Sequence, residues 1–336
     1  MAWNLQNVYK KRNLVISPKQ QSAFGTALID ADLTHRLEFD PGAYVALTRQ
    51  YRSDRDKTGK GHDFPTYRVA TDQDVAFSIT LDVDDFLLGW IPAFLMGLVT
   101  DAGQASPYTH TIKFQQTTGN ALATTIYSED SDPLKRKFID VGINVAEFSG
   151  SGRGVVQARL DMIGSGKATD GAIANMPALP TIKQLLASDA AFSIGNPGAA
   201  TAIDPDRVLS WTVTLTQDIT PFKGPGSVLY GTRLQIGHPS CKLAMTIAAK
   251  ETDDLVTRFL GDTETEVQIN IATAADCELD FLFPSIYLSA AQPATDTNDV
   301  VIQVESNEDS LIKKANTEIV QVTAKNNVPA YLVAGA

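Results

Sequence analysis

Cysteine is nearly absent: Cys241 and Cys277 are the only two in 336 residues. That excludes a disulfide framework and a four-ligand zinc site of the usual kind, and it fits a reducing compartment. Long apolar runs are also missing. The longest, Phe86 to Val99, is interrupted by Gly89, Pro92 and Gly97 and falls short of the roughly 20 residues a bilayer span needs. Lys10, Lys11 and Arg12 are followed by no apolar stretch with a small-residue cleavage site, so neither a secretory leader nor a membrane partner is expected. Basic residues are scarce, 28 Lys and Arg against 39 Asp and Glu, for a net charge of −11. Such a chain repels phosphate except at a local patch. The four histidines, His35, His62, His110 and His238, stand far apart with no second His or Cys at ligand spacing. Loop or surface positions and no metal are predicted.

The charge that is present is polarised along the chain. Residues 1–70 hold 11 basic and 7 acidic side chains, a net of +4, whereas 71–336 carry −15. Lys10, Lys11, Arg12 and Lys19 occur with no acid before residue 30, and 49–63 reads RQYRSDRDKTGKGHD. Both segments are too polar to pack and read as exposed.

Apolar residues mostly recur with period 2. Val75, Phe77, Ile79, Leu81 and Val83 alternate with small or polar residues, as do Ala158, Leu160 and Met162, then Trp211, Val213 and Leu215, then Val300, Ile302 and Val304. Antiparallel strands with one wet side follow. Helical signals are few. Asp84-Asp85 before Phe86–Phe94, stopped by Gly97, predicts one short helix that Pro92 must bend or delay, and Lys183–Ala187 allows one more turn.

A repeat is also present. Strand 75–83, the acid pair and the helix correspond to strand 241–247, Asp253-Asp254 and 255–261. An alternating strand precedes each unit, at 28–39 and 209–217, and a hairpin follows each, 138–148 with 155–163 and 278–288 with 300–305. The expected architecture is all-β: two tandem β-sandwich domains, each with a short flanking α-helix. The divisions are an N-terminal arm at 1–20, a first domain at 21–167, a Pro-, Gly- and Ala-rich linker at 168–205 and a second domain at 206–336, with inserts at 40–67 and 98–137.

The motifs nearest to a catalytic or nucleotide-binding signature are incomplete. Gly164-Ser165-Gly166-Lys167-Ala168 has Ala where a phosphate loop needs Ser or Thr, and GSGRG at 150–154 lies between two strands rather than opening a helix. The acid pairs fall at helix starts, where backbone N–H groups favour anions, and Cys241 lies on the apolar face of a strand. The expectation is no enzyme, no catalytic residue, no cofactor and no metal. A sandwich binding module, recognising a receptor or carbohydrate on a virion, is the alternative. It would need a concave aromatic cluster, yet of Trp3, Trp90 and Trp211 the last two occupy apolar positions of predicted elements.

Tyr108-Thr109-His110-Thr111-Ile112, Leu122–Tyr127 and Phe138–Asn144, with the Gly-rich hairpin into Ala158–Gly164 and the run Val320–Tyr331, resemble the tail tube proteins of long-tailed, non-contractile bacteriophages. The resemblance implies a structural virion protein, made and assembled in the bacterial host cytoplasm, whose six-domain rings stack into a hollow tube for genome passage. With two domains per chain, three copies would fill a pseudo-six-fold ring. The implied partners are the chain itself, other tail proteins at the tube ends, and the tape measure protein and double-stranded DNA in the lumen without specific binding. Alternation along 138–148 and 278–283, together with the acidic balance, makes Asp140, Glu147, Asp161, Glu278 and Asp280 the candidate lumen-lining acids. The basic Lys10, Lys11, Arg12, Lys19, Arg49, Arg52 and Arg55 are the candidate contacts between rings.

Overall fold

A computed structural model describes residues 13–39, 45–53, 67–115, 121–131, 134–224, 229–250, 254–296, 299–307 and 318–335. Antiparallel strands dominate, in two principal sheets facing each other across one core. The larger has twelve strands. Eight of them lie side by side in the order β3 (Ala46–Ser53), β4 (Arg68–Asp82), β9 (Gln157–Gly164), β8 (Leu134–Ser151), β13 (Val208–Thr216), β16 (Ser240–Ala248), β20 (Asp299–Glu305) and β19 (Ala290–Asp296), every pair antiparallel. The first half of β8 is flanked instead by β7 (Thr124–Ser131) and β10 (Ala168–Asp170), and β7 leads on to β1 (Asn13–Ile16) and β2 (His35–Leu37).

The smaller sheet runs β12 (Ala199–Ile203), β11 (Ala190–Asn196), β17 (Thr265–Ala274), β18 (Cys277–Ile286), β21 (Gln321–Asn326), β6 (Tyr108–Phe114) and β5 (Gly97–Ala102). Period-2 alternation sends one face of each sheet inward. On β4, Val75, Phe77, Ile79 and Leu81 are buried while Ala76, Ser78 and Asp82 are exposed. Across the interlayer, Phe148 of β8 meets Phe281 of β18 edge-on at 5.2 Å between ring centroids, with Trp211 of β13 alongside.

Helix α1 (Leu87–Met96) follows β4 as expected, capped by its acid. The Asp84 carboxylate accepts hydrogen bonds from the Phe86 and Leu87 N–H groups at 3.0 and 2.7 Å, and Gly97, at φ 89°, ends the helix in the left-handed conformation. All ten α1 residues are buried. The helix packs on β8 of one sheet and β5, β6, β18 and β21 of the other, so it is an internal layer and not a flanking one, in keeping with a sequence apolar on every side. The second helix, α2 (Leu255–Leu260), is shorter and buries only Leu255, and its Asp254 pairs with Arg258 at 2.7 Å instead of capping.

Several sequence expectations change. Within the anticipated arm, Asn13–Ile16 is a fully buried strand between β2 and β7. Residues 28–39 hold a 3-10 turn and the three-residue β2, while β4 takes its hairpin partner from β3, inside the expected insert. The other insert supplies β5, β6 and β7, and the expected linker supplies β10, β11 and β12. Strand β20 pairs with β19, not with β18, which belongs to the opposite sheet. His110 is buried in the smaller sheet, its ring nitrogens bonded to Asp101 at 2.6 Å and Asn326 at 3.1 Å.

Candidate functional site

The outer face of the larger sheet is a continuous wet surface whose rows follow from strand register. One row reads Ser78, Asp161, Val145, Thr216, Ser240 across β4, β9, β8, β13 and β16. The next reads Thr80, Arg159, Glu147, Thr214, Lys242, and the third Asp82, Gln157, Ser149, Thr212, Ala244, Glu305, reaching β20. Asp82, Glu147, Asp161 and Glu305 outnumber Arg159 and Lys242, and hydroxyls fill most of the space between. Asp161 accepts from Ser78 and lies 3.8 Å from Arg159.

The five candidate acids do not come together. Glu147 and Asp161 lie on this face. Glu278 and Asp280 lie on the outer face of the smaller sheet, the opposite side of the sandwich, where Glu278 bonds Lys325 at 2.6 Å and Asn270 at 3.0 Å, and Asp280 accepts from Gln268 at 3.0 Å. Burial works against the Glu278 charge, yet Lys325 and Asn270 hold its carboxyl below the usual range; burial pushes Asp280 up. Asp140 reaches no solvent at all. Its backbone is left-handed at φ 58°, and its carboxylate accepts from the Gly25 N–H at 2.5 Å and the Ser165 hydroxyl at 2.9 Å. It fastens residues 21–25 to β8, and its carboxyl is raised by burial.

The candidate cations divide likewise. Lys19 is tied within its own chain to Asp32 at 2.6 Å. Arg49 and Arg52 are exposed on β3, Arg49 donating to Gln73. Lys10, Lys11, Arg12 and Arg55 lie outside the described residues. Sequence reasoning missed two neighbours of Arg52, Tyr51 and Arg68. The Arg68 guanidinium lies 3.9 Å from the Tyr51 ring centroid, a pairing made by the β3–β4 register and not by sequence proximity.

Among the described residues, no group of three or more His, Cys, Asp or Glu has metal-holding geometry. Both thiols are buried, which raises Cys241 far out of its ordinary range and Cys277 to about 12. Among the same residues, no helix is long and apolar enough to cross a membrane. The family model for phage tail tube proteins matches residues 13–309. The chain belongs to the phage tail tube protein family. A comparison with curated proteins returns no match. Membership makes the chain a structural component of the virion that assembles with copies of itself and other phage proteins into a tube.

Proposed function

We propose that three copies of this tail tube protein close into a ring, that rings stack into the tail tube of a long-tailed, non-contractile phage, and that the outer face of the larger sheet is the channel wall through which DNA leaves. The observation that carries this reading is strand order. Along the larger sheet, β3–β4–β9–β8 is followed by β13–β16–β20–β19. Each four-strand unit is made of two antiparallel pairs, runs in the same directions and sends its second strand into a helix. The units join by antiparallel pairing of β8 with β13, and this supports two tandem domains. The unpaired ends of the eight strands, β3 and β19, are antiparallel, so β19 of one copy can take β3 of the next as β8 takes β13. The smaller sheet cannot close this way, because with seven strands its ends β5 and β12 run parallel. An open edge row of N–H and C=O groups is a template for such addition.

Size favours three copies. Closing 24 strands spaced about 4.8 Å apart and tilted about 40° gives a barrel about 50 Å across at the backbone, or about 35–40 Å inside the side chains. That passes a duplex roughly 20 Å wide; six copies would leave a bore more than twice as wide. The wall is weakly acidic and hydroxyl-rich, so it offers phosphate little counterion-releasing affinity. Glu147 and Asp161 stay as lumen acids in this reading, joined by Asp82 and Glu305; Asp140, Glu278 and Asp280 do not.

Native mass spectrometry of isolated rings tests the stoichiometry. The expected mass is three times the 36.2 kDa chain, and a six-chain mass refutes the reading. The wall is tested by ejection kinetics: Glu147→Lys with Asp161→Lys should slow DNA passage at low ionic strength, while Glu278→Lys with Asp280→Lys should not.

A further inference from the structure

Among the described residues the chain buries two indoles, and only one of them is satisfied. Trp90, on α1, donates its N–H to the Ser17 carbonyl at 2.7 Å. Trp211, on β13, is 3% exposed and its N–H has no acceptor. Buried tryptophan N–H groups ordinarily find a partner, because an unpaired donor loses its bonds to water without replacement. The free donor follows from strand register. Trp211 lies opposite Gly150 of β8, and a Cβ built there would fall 2.7 Å from the indole nitrogen. Glycine lets the ring edge lie against β8, and it brings no side chain to accept from it.

Trp211 is also the last buried inward residue at its end of β13, since Leu209, next on that face, is exposed. Past it the two sheets part. A cleft of about 240 Å³ opens between the turn after β8, the start of β13 and the 3-10 turn Ala187–Asp189 that leads into β11, with Trp211 in its lining. That is room for about eight waters at about 30 Å³ each. Ala187, Ala190 and Phe192 give it a buried apolar wall, whereas Ser151, Arg153, Ser188 and Asp206 are exposed at its mouth. The mouth thus carries one cation and one anion. Arg207 and Lys250, further cations near this end, line a separate cleft together with Asp204 and Asp254.

We infer that this cleft binds a small uncharged amide, its carbonyl oxygen on the Trp211 N–H and a compact apolar group of leucine size against Phe192 and Ala190. The donor sets the class. An indole N–H gives one hydrogen bond and accepts none, which matches a carbonyl. A carboxylate needs further donors to leave water, and the exposed Arg153 keeps its own hydration at the mouth. Water is a poor substitute, since it needs about two to four polar partners and the side chains of Ala187, Ala190 and Phe192 supply none. The balanced mouth favours a ligand without net charge. Such a molecule touches Gly150 and Trp211 of one sheet and Ala190 and Phe192 of the other, so occupancy ties the sheets together at this end. The site lies within a single chain and is independent of ring closure.

The test titrates isotope-labelled, disassembled full-length chains with isocaproamide and follows the indole N–H groups of Trp3, Trp90 and Trp211 by NMR. The Trp211 signal, identified by its loss in Trp211→Phe, should move downfield and saturate with a Kd on the order of a few millimolar, the range for so small a ligand. The Trp90 signal, already bonded, should stay. Acetamide, which lacks the apolar group, and isocaproate, which has a charge in place of the amide, should each bind about tenfold more weakly. Trp211→Phe keeps a ring and removes the donor; read through the Ala190 and Phe192 amide signals, it should bind isocaproamide about fivefold more weakly. A Trp211 signal left unmoved by isocaproamide, a comparison compound that binds as tightly, or a variant that binds as well as wild type would overturn the inference. Should Trp211→Phe fail to fold, the three compounds compared on wild type decide alone, with the Trp211 signal assigned through its proximity to Gly150.

Discussion

Replacing Asp84 with Asn isolates one charge at the start of α1. The side chain is 8% exposed, caps the helix through the Phe86 and Leu87 N–H groups, and has its carboxyl raised to about 6, first by burial and then by the nearby Asp85 and Glu38 charges, against the opposing cap bonds. Between the unfolded carboxylate range near pH 4 and pH 6, the folded chain binds more protons than the unfolded one, so this group's contribution to stability falls as pH rises. The displacement of about two pKa units corresponds to about 3 kcal/mol by pH 7.5. Asn keeps an acceptor oxygen for the cap and never ionises. Asp84→Asn should therefore match wild type near pH 4 and exceed it by about 2–3 kcal/mol at pH 7.5, whereas Asp84→Ala, losing the cap, should cost about 0.5–2 kcal/mol at pH 4. His35, stacked on Phe86 at 3.4 Å and lowered by burial to about 4, acts in the opposite sense: its contribution is present above pH 6.5 and lost as pH falls toward 4. Wild-type stability should thus vary less with pH than that of Asp84→Asn, which loses stability on acidification. Urea unfolding of disassembled chains at pH 4, 5.5 and 7.5 measures the difference. A variant-minus-wild-type difference constant across that range would refute the assignment of a raised carboxyl to Asp84.

Gly166 has φ 92°, and a Cβ there would lie 2.0 Å from the Gln73 carbonyl oxygen, so Gly166→Ala should displace the β4–β9 edge and lower the unfolding midpoint more than any exposed Gly→Ala change. Phe281→Ala empties the contact with Phe148 and Trp211 and should cost about 3–5 kcal/mol in chemical denaturation. Lys223→Met leaves Asp72 and Asp74 facing each other without their shared cation. It should cost about 1 kcal/mol, more at low salt, and speed amide exchange in the hairpin of β14 (Ile219–Phe222) and β15 (Arg233–Ile236), which Lys223 adjoins.

Strands with one buried and one wet side were legible because period 2 is visible wherever a single layer covers one face. Strands 75–83, 156–163, 209–216 and 241–247 follow that pattern. The rest failed for identifiable reasons. Strand β19, AAQPATD, contains Pro293 and small residues and reads as a loop; it lies near the sheet edge, and a proline is tolerated in such a strand. The more apolar β18 stands out in its place as the partner for 300–305, though it belongs to the opposite sheet. Strand β12, AATAI, is likewise an edge strand with little apolar signal. The ten buried residues of α1 were legible as a helix from Asp84 and Gly97, but not as an internal layer, since a sequence does not say what covers each side.

Asp140 carries the same lesson to the site. Ile139, Val141 and Ile143 alternate with Asp140 and Gly142 as they would on a wet-sided strand, yet residues 138–143 are all buried. Residues 21–25 cross one side, and Ile219 and Leu234 come within contact of the space a Gly142 side chain would fill. Alternation separates two faces of a strand and is silent on whether the polar one meets water or another segment of chain. Nor can it say which of two wet faces lines a bore. In the proposed ring that choice rests on parity: a run of eight antiparallel strands ends in edges that can join copy to copy in one rotational sense, and a run of seven does not. The four-strand unit occurs twice in one chain, so the joint proposed between copies has its counterpart inside each of them, where β8 pairs with β13.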